Sequence, residues 1–351
     1  MKFRILAAGL TALALAACSG GGGTTESITD PPQSEATKAT KLTVVSHASF
    51  NLPDELKAKF EKESGLKVTY SPMDDAGAMV NQLLLTKDSP LGDVVFGIDN
   101  TFASRAENEG VIDPYISDKL DERGKSMATE QMSPIDFGDV CVNADRVWFE
   151  NKGLDIPKTL DDLTKPEYKD LFVVPSPASS SPGLAFMFAT IGAKGDGWLD
   201  YWKKLDANGT SVVAGWTEAY NVEFSQGEGK GKRPLVLSYA SSPAWTIGDD
   251  GKSTTVNLPD TCFRQVEYAA VLKGAENPEG AKKFVDFLLS PEVQASIPDN
   301  MYMYPALEDT KLPEDWAKFA PLADKPIELS ADKITQGREK WLNEWTEAIG
   351  Q

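Results

Sequence analysis

The chain has 351 residues and is acidic, with 53 Asp and Glu against 35 Lys and Arg and a formal net charge of −18. A charge of this sign disfavours nucleic acid and anionic membrane surfaces as partners, and its long-range field modestly favours a cationic ligand. The single histidine, His47, excludes a His-rich metal site and leaves one candidate for a His-dependent catalytic triad.

The N-terminus has the features of a cleaved export signal. Lys2 and Arg4 precede an apolar run, residues 5–17, that is too short to remain as a transmembrane helix. The run ends in Leu-Ala-Ala-Cys, which resembles the bacterial lipobox, so we predict a signal peptide over 1–17 and a lipid anchor on Cys18. An ordinary signal followed by a chance cysteine is the alternative. Without the signal, 33 basic residues remain against 53 acidic ones, a formal charge of −20.

Glycine, proline and small polar residues dominate residues 18–40, which are predicted to be a flexible tether with a reach of roughly 25 Å. We therefore expect an extracytoplasmic protein that contacts the membrane only through its lipid anchor at Cys18. The two remaining cysteines, Cys141 and Cys262, would lie in an oxidising space, where an even number of cysteines favours a disulfide.

The first part of the globular chain alternates strand and helix patterns. Leu52, Leu56 and Phe60 recur at helical spacing, and Gly65 is placed to end that helix. GAMVNQLLL predicts a second helix, and three β-branched runs predict strands over 42–47, 66–71 and 92–99. This alternation is typical of a parallel sheet with helical crossovers.

The same pattern returns later in the chain. A long extended stretch over 133–143 is followed by a helix running into a strand over 159–175, and then by a helix for which Ser181 is the expected N-cap and Pro182 the first residue. Further predicted elements are an amphipathic helix at DGWLDYWKKLDANG, strands over 234–239 and 265–274, a helix capped by Asn277, and a C-terminal helix whose Trp341 and Trp345 are assigned to packing. A globular part of about 310 residues exceeds the usual size of one hydrophobic core, so two α/β lobes are expected.

Several segments resemble the solute-binding proteins of bacterial ABC importers, and most of all the thiamine-binding components. In chain order these segments are FEKESGLKVTYS, GDVVFGID, GWTEAY, LVLSYASSPAW, NPEGAKKFVDFLLSPEVQASIP and MYMYP. The resemblance implies a type II periplasmic-binding-protein-like fold, in which two hinge-linked α/β lobes hold a ligand between them. Lobe 1 would comprise 41–135 with 264–320, and lobe 2 would comprise 136–263 with part of 321–351. The resemblance also implies that the protein is a monomer and that it delivers its ligand to a permease, which works with an ATPase.

The resemblance also selects ligand contacts, motif by motif. The acidic pair after the second strand gives Asp75 and Ala76, where alanine stands in place of the family's glycine. SSSPG gives Ser180 and Ser181. The remaining contacts come from GWTEAY, SYASSPAW, NMYMYP and SHASF, and they are Trp216, Tyr239, Ala240, Ser241, Ser242, Trp245, Tyr302 and His47. Trp245, Tyr302 and His47 differ in type from the family's residues at those positions.

Thiamine would suit these residue types. Its thiazolium ring carries a permanent positive charge, which aromatic faces attract by about 0.5 to 2 kcal/mol each, and Asp75 could supply a counter-charge. Ser180 and Ser181 lie at a predicted helix start, which could accept the phosphate of thiamine monophosphate or diphosphate. The alternative for Ser181 is an N-cap alone, and each aromatic taken singly is also explained by core packing.

Two other functions stay open at this point. A ferric-ion or polyamine binder is the first; no Tyr-Tyr dipeptide of the kind used by iron binders occurs, and Asp99 or Asp136 would have to add carboxylates for a polyamine. An exported hydrolase is the second, although GxSxG, HExxH and CxxC are absent. No catalytic residue, metal or cofactor is therefore expected.

Overall fold

A computed structural model describes residues 40–350. The predicted signal peptide, Cys18 and nearly all of the tether lie outside these residues. The strands are β1 Lys41–His47, β2 Lys67–Met73, β3 Val94–Asp99, β4 Ile112–Asp113, β5 Ser133–Asp145, β6 Phe172–Pro175, β7 Ser211–Val213, β8 Leu235–Tyr239, β9 Thr255–Asn257, β10 Phe263–Leu272 and β11 Tyr304–Pro305. The helices are α1 Asp54–Ser64, α2 Ala76–Leu85, α3 Ala103–Asn108, α4 Glu122–Met127, α5 Arg146–Lys152, α6 Ser181–Lys194, α7 Trp198–Ala207, α8 Pro278–Leu288, α9 Pro291–Met301, α10 Glu314–Phe319 and α11 Ala331–Ile349.

One mixed sheet runs through the protein in the order β2-β1-β3-β10-β5-β8-β6-β7. Its two ends are parallel, because β1 pairs in parallel with β2 and β3, and β6 with β7 and β8. The long strands β10 and β5 lie antiparallel between these ends. Two parallel α/β halves joined by long crossing strands confirm the predicted fold class. The globular chain forms one compact unit, and the lobe boundaries stay predictions.

Apolar helical faces cover the sheet, as the sequence pattern predicts. Every residue of α6 from Ser181 to Ile191 is buried, and α11 packs against α3 and α7. Trp345 is fully buried, and its ring meets that of Trp202 edge-on with 5.4 Å between centroids. The assignment of Trp345 to packing is therefore confirmed. No helix within residues 40–350 has the length and apolarity to cross a membrane.

Two local predictions were wrong. The segment over 159–175 does end in a strand, but two 3₁₀ turns, Asp162–Thr164 and Pro166–Tyr168, replace the predicted helix. Proline has no N–H to donate and pushes the preceding residue out of the helical region, and Lys165 accordingly has ψ of 147°. The N-cap of α6 is Ser180, in extended backbone, and Ser181 is the first helical residue.

The structure contains the predicted disulfide, which joins Cys141 in β5 to Cys262 across a separation of 121 residues. Cys262 lies one residue before β10, and both cysteines are fully buried. The bond therefore links the two crossing strands near the start of β10.

Candidate functional site

The predicted contacts gather where the parallel strands end. His47, Asp99 and Tyr239 are the last residues of β1, β3 and β8, respectively. Asp75 follows β2 closely, and the residues after β6 and β7 lead to Ser180 and Trp216. Three antiparallel pairings separate β3 from β8, so the carboxyl ends of the two parallel halves face each other. In open α/β sheets, ligands bind outside the carboxyl ends of the strands, so the region between these ends is the candidate ligand site.

Asp75 joins α2 to the start of α6. As the N-cap of α2, its Oδ1 accepts from the N–H of Ala76 at 2.8 Å and from the N–H of Ser181 at 2.9 Å. Its Oδ2 accepts from Ser180 Oγ at 2.8 Å and from the N–H of Trp216 at 3.1 Å. Three of these four donors belong to the predicted second lobe. We call this arrangement the Asp75 contact.

The start of α6 also meets a second carboxylate. Ser181 Oγ donates to Asp99 Oδ2, and Ser180 and Ser181 are both buried. Close approach of α2 requires a glycine, because a Cβ on Gly77 would lie 2.6 Å from the carbonyl oxygen of Ser179. The helix start that could hold a phosphate is therefore occupied by carboxylates of the protein itself.

Three aromatic side chains form what we call the inner aromatic group. The rings of Trp216 and Tyr220 stack with 5.0 Å between centroids and 10° between planes, and Tyr239 lies 6.5 Å from Trp216. Sequence reasoning missed Tyr220, although it ends the GWTEAY motif four residues after Trp216, at helical spacing. Burial raises the pKa of Tyr220 to about 12, against the effect of Ser242 and with a smaller contribution from Tyr302.

Trp245 and Tyr302 form an outer aromatic pair. Their ring centroids are 4.4 Å apart, and each residue is 42% exposed. Ser241 Oγ donates to the carbonyl oxygen of Tyr302 at 2.6 Å, and Tyr302 has a left-handed φ of 59° at the C-terminal end of α9. The loop that carries Ser241 therefore holds the outer pair in place.

The remaining two predicted contacts in this loop, Ser242 and Ala240, interact with other residues of the protein. Ser242 Oγ lies 2.9 Å from Ser238 Oγ, which in turn accepts from Trp216 Nε1 at 2.9 Å. Ala240 is buried in a cluster with Cys141 and Cys262. The structure thus brings Ser242 to the inner aromatic group and packs the side chain of Ala240 against the disulfide.

A row of three carboxylates crosses the sheet beside these aromatics. Glu267 on β10 is paired with Asp99 on β3 and with Asp136 on β5, and directly paired residues present their side chains on the same face. We call these three residues the carboxylate row. Sequence reasoning missed Glu267 and named the other two only as polyamine candidates.

His47 lies against the row, with Nε2 3.4 Å from Glu267 Oε1. The N–H of Ser49 donates to its Nδ1 at 3.2 Å. Space for the ring exists because Gly97, with φ of 97°, has no side chain; a Cβ there would lie 2.0 Å from His47 Cδ2. The structure thus places the predicted pocket residue His47 beside the carboxylate row.

Burial and mutual charge shift the pKa values of this group. Burial raises the pKa of Asp99 to about 6 despite hydrogen bonds from Ser181 and Thr101. Burial, followed by the charge of Glu267, raises the pKa of Asp136 well above its usual range. Burial disfavours the His47 cation, but Glu267 and other carboxylates outweigh this effect and raise its pKa. Burial opposes the charged form of Glu267 too, but the charge and hydrogen bond of His47, together with a hydrogen bond from Asp136, outweigh burial and lower this pKa.

Comparison with known sequences gives the family. The sequence profile of the bacterial extracellular solute-binding protein family matches residues 89–324. The chain belongs to this family. Members of the family bind solutes outside the cytoplasm and are not enzymes, which confirms the predicted class of function.

Thiamine-binding and iron-uptake proteins are among the relatives of this solute-binding protein. The thiamine-binding periplasmic protein of Salmonella typhimurium is 28% identical over 88% of this chain and 94% of its own length. A solved structure described as a periplasmic thiamin binding protein has a TM-score of 0.79 and 27% identity, covering 91% of this chain and 99% of that one. Iron uptake protein A1 of Synechocystis is 25% identical over 84% of this chain and 83% of its own length.

Proposed function

We propose that this solute-binding protein captures thiamine outside the membrane and delivers it to the permease of an ABC importer, which is driven by its ATPase. The proposal extends the family assignment with the ligand named for several relatives. In this proposal the protein acts as a monomer that contacts the membrane only through a lipid on Cys18.

One observation carries the choice of ligand. Five aromatic side chains and four carboxylates lie together in the region where the parallel strands of the two halves end and the long strands β5 and β10 cross. They are Trp216, Tyr220, Tyr239, Trp245, Tyr302, Asp75, Asp99, Asp136 and Glu267. Aromatic faces attract a flat cation, and carboxylates match its charge and accept its amino hydrogens. The thiazolium charge cannot be removed by deprotonation, so a site for thiamine has to match that charge.

The free vitamin fits better than its phosphates. At the start of α6, Ser180 and Ser181 already donate to Asp75 and Asp99. A phosphate placed there would face both carboxylates, and like charges repel. The phosphorylated end of a thiamine phosphate would therefore gain nothing from this helix start.

A polyamine is the second candidate, because the carboxylate row places three acidic side chains beside the aromatics. Spermidine carries several positive charges along a flexible chain and would be matched by several carboxylates. It offers no aromatic ring to stack on Trp216 or Tyr239. The planar faces of the inner aromatic group therefore favour thiamine.

Intrinsic tryptophan fluorescence tests the proposal when the protein is titrated separately with thiamine, spermidine and ferric citrate. Saturable quenching by thiamine, with one site by calorimetry, is the expected result. Replacement of Trp216 by phenylalanine should remove much of the quenching, whereas the same change at the buried Trp345 should leave it in place. Saturation by spermidine or ferric citrate, and not by thiamine, would overturn the proposal.

A further inference from the structure

We infer that Glu267, supported by Asp136, is the carboxylate that pairs with the fixed positive charge of the ligand and so selects a cation, whereas Asp75 holds the two halves of the protein together. This inference rests on the proposed function and assigns the charge recognition within it to particular residues.

Asp75 has no acceptor position left to offer. A carboxylate has about four lone-pair sites, and Asp75 receives four hydrogen bonds of 2.8 to 3.1 Å, two on each oxygen. A ligand that paired with this carboxylate would have to displace a donor from Ser180, Ser181 or Trp216. Displacing any of these would break the Asp75 contact between α2 and the start of α6.

Glu267 and Asp136, in contrast, have few donors from other residues. Glu267 is 6% exposed and receives a long hydrogen bond of 3.4 Å from Gln265 Nε2, besides its contacts with His47 and Asp136. Asp136 is fully buried, and among residues 40–350 no group other than the neighbouring Glu267 is a hydrogen-bond partner for its oxygens. Because a buried polar atom without a partner is costly, this arrangement suits a ligand that brings positive charge and N–H donors.

The row is connected to the aromatic surface. Tyr239 Oη donates to Gln265 Oε1 at 3.2 Å, and the amide of Gln265 donates in turn to Glu267. The side chains of Glu267 and His47 are 8% and 12% exposed, so each is nearly buried but still touches solvent. A flat cation on the inner aromatic group is therefore next to the network that ends at Glu267.

His47 supplies the positive partner of Glu267 within the protein. The acidic groups acting on it come from three elements: Glu267 from β10, Asp99 from β3 and Asp75 from the cap of α2. The imidazole sits in this acidic surrounding because Gly97 leaves room for it. A ligand cation at Glu267 would compete with His47 for this carboxylate, which places the histidine within the same site.

The test compares thiamine with an uncharged isostere in which carbon replaces the positively charged ring nitrogen. Calorimetry would give both dissociation constants for the wild type, Glu267→Gln and Asp75→Asn. In Glu267→Gln, thiamine should bind about 30-fold or more weakly, as is typical for loss of a buried charge partner, while the isostere changes by less than about threefold. Asp75→Asn should weaken the binding of both ligands by the same factor, because it loosens the contact between the two halves of the protein.

Controls keep the outcomes separate. Glu122→Gln, at a side chain 94% exposed on α4, should change neither constant, and circular dichroism checks that each variant is folded. If Glu267→Gln does not fold, Glu267→Asp takes its place: it withdraws the carboxylate by one methylene and should weaken thiamine binding more than binding of the isostere. Equal losses for both ligands in the row variants, or a thiamine-selective loss in Asp75→Asn, would overturn the inference and leave the proposed function standing. A wild-type protein that binds neither ligand would overturn both this inference and the proposed function.

Discussion

Replacing Asp75 by asparagine should weaken the contact between α2 and the start of α6. The amide keeps one oxygen for the N–H groups of Ala76 and Ser181, but it turns an NH₂ towards the Trp216 N–H, so that two donors face each other. Hydrogen bonds to charged acceptors contribute about 1.5 to 3 kcal/mol each, and an unpaired buried donor costs a similar amount. Because the site is only partly buried, we expect a total loss of about 2 to 4 kcal/mol in the free energy of unfolding.

Urea unfolding of Asp75→Asn, Ser180→Ala and the double variant measures this contact. The 2.8 Å bond from Ser180 Oγ should appear as a coupling energy of about 1 kcal/mol in the double-mutant cycle. Asp54→Asn is the matched control: it makes the same chemical change at a helix start, at a side chain 95% exposed, and should cost less than about 0.5 kcal/mol. Additive effects of the two changes, or equal losses at Asp75 and Asp54, would refute the reasoning.

Three further predictions concern the pH dependence of stability, the contribution of the disulfide to stability, and the effect of a phosphate on ligand affinity. Burial raises the pKa of Asp99 from 3.8 to about 6, so this group stabilises the fold fully below the unfolded value, and its contribution is lost as pH rises through 6. The stability of Asp99→Asn relative to the wild type should therefore rise by up to about 3 kcal/mol between pH 4 and pH 8; a pH-independent difference would contradict this. Replacing Cys141 and Cys262 by alanine should cost about 4 to 5 kcal/mol in urea unfolding, the chain-entropy value for their 121-residue separation, and a loss under about 1 kcal/mol would argue against it. Thiamine monophosphate should bind no more tightly than thiamine in calorimetry, because its phosphate would face carboxylates at the start of α6; tenfold tighter binding would contradict this.

Much of the fold could be predicted because local sequence and long-range structure agree. β-branched runs that alternate with helical patterns became the parallel strands at both ends of the sheet, and Asn277 caps its helix as expected, accepting from the N–H of Gly280. The failure at 159–175 has a local cause, since Pro166 interrupts an otherwise plausible helical pattern. The one-residue error at the start of α6 arose because Ser180 and Ser181 are equally good caps in sequence, and only the backbone of the folded chain separates them.

The candidate site was less predictable because its contacts are distant in sequence. Asp75 and Ser180 are 105 residues apart, and nothing in the sequence near Asp75 reveals that both of its oxygens already accept hydrogen bonds. Glu267 lies in a strand pattern in which alternate positions can face solvent, and its position beside Asp136 depends on a long-range strand pairing that the local sequence does not reveal. Tyr220 could have been found, because its spacing from Trp216 within one motif places both rings on the same side of a helical turn.

The pairing of β10 slips on both of its edges near the same residues. Opposite β5 the register shifts between Glu267 and Tyr268, and opposite β3 it shifts between Tyr268 and Ala269. Such bulges bend a strand and interrupt its ladder, so flexing the crossing strands here breaks fewer hydrogen bonds than flexing them elsewhere. Glu267 therefore lies where the strand that joins the two halves is paired least regularly, so its backbone is held by fewer ladder hydrogen bonds than the rest of β10.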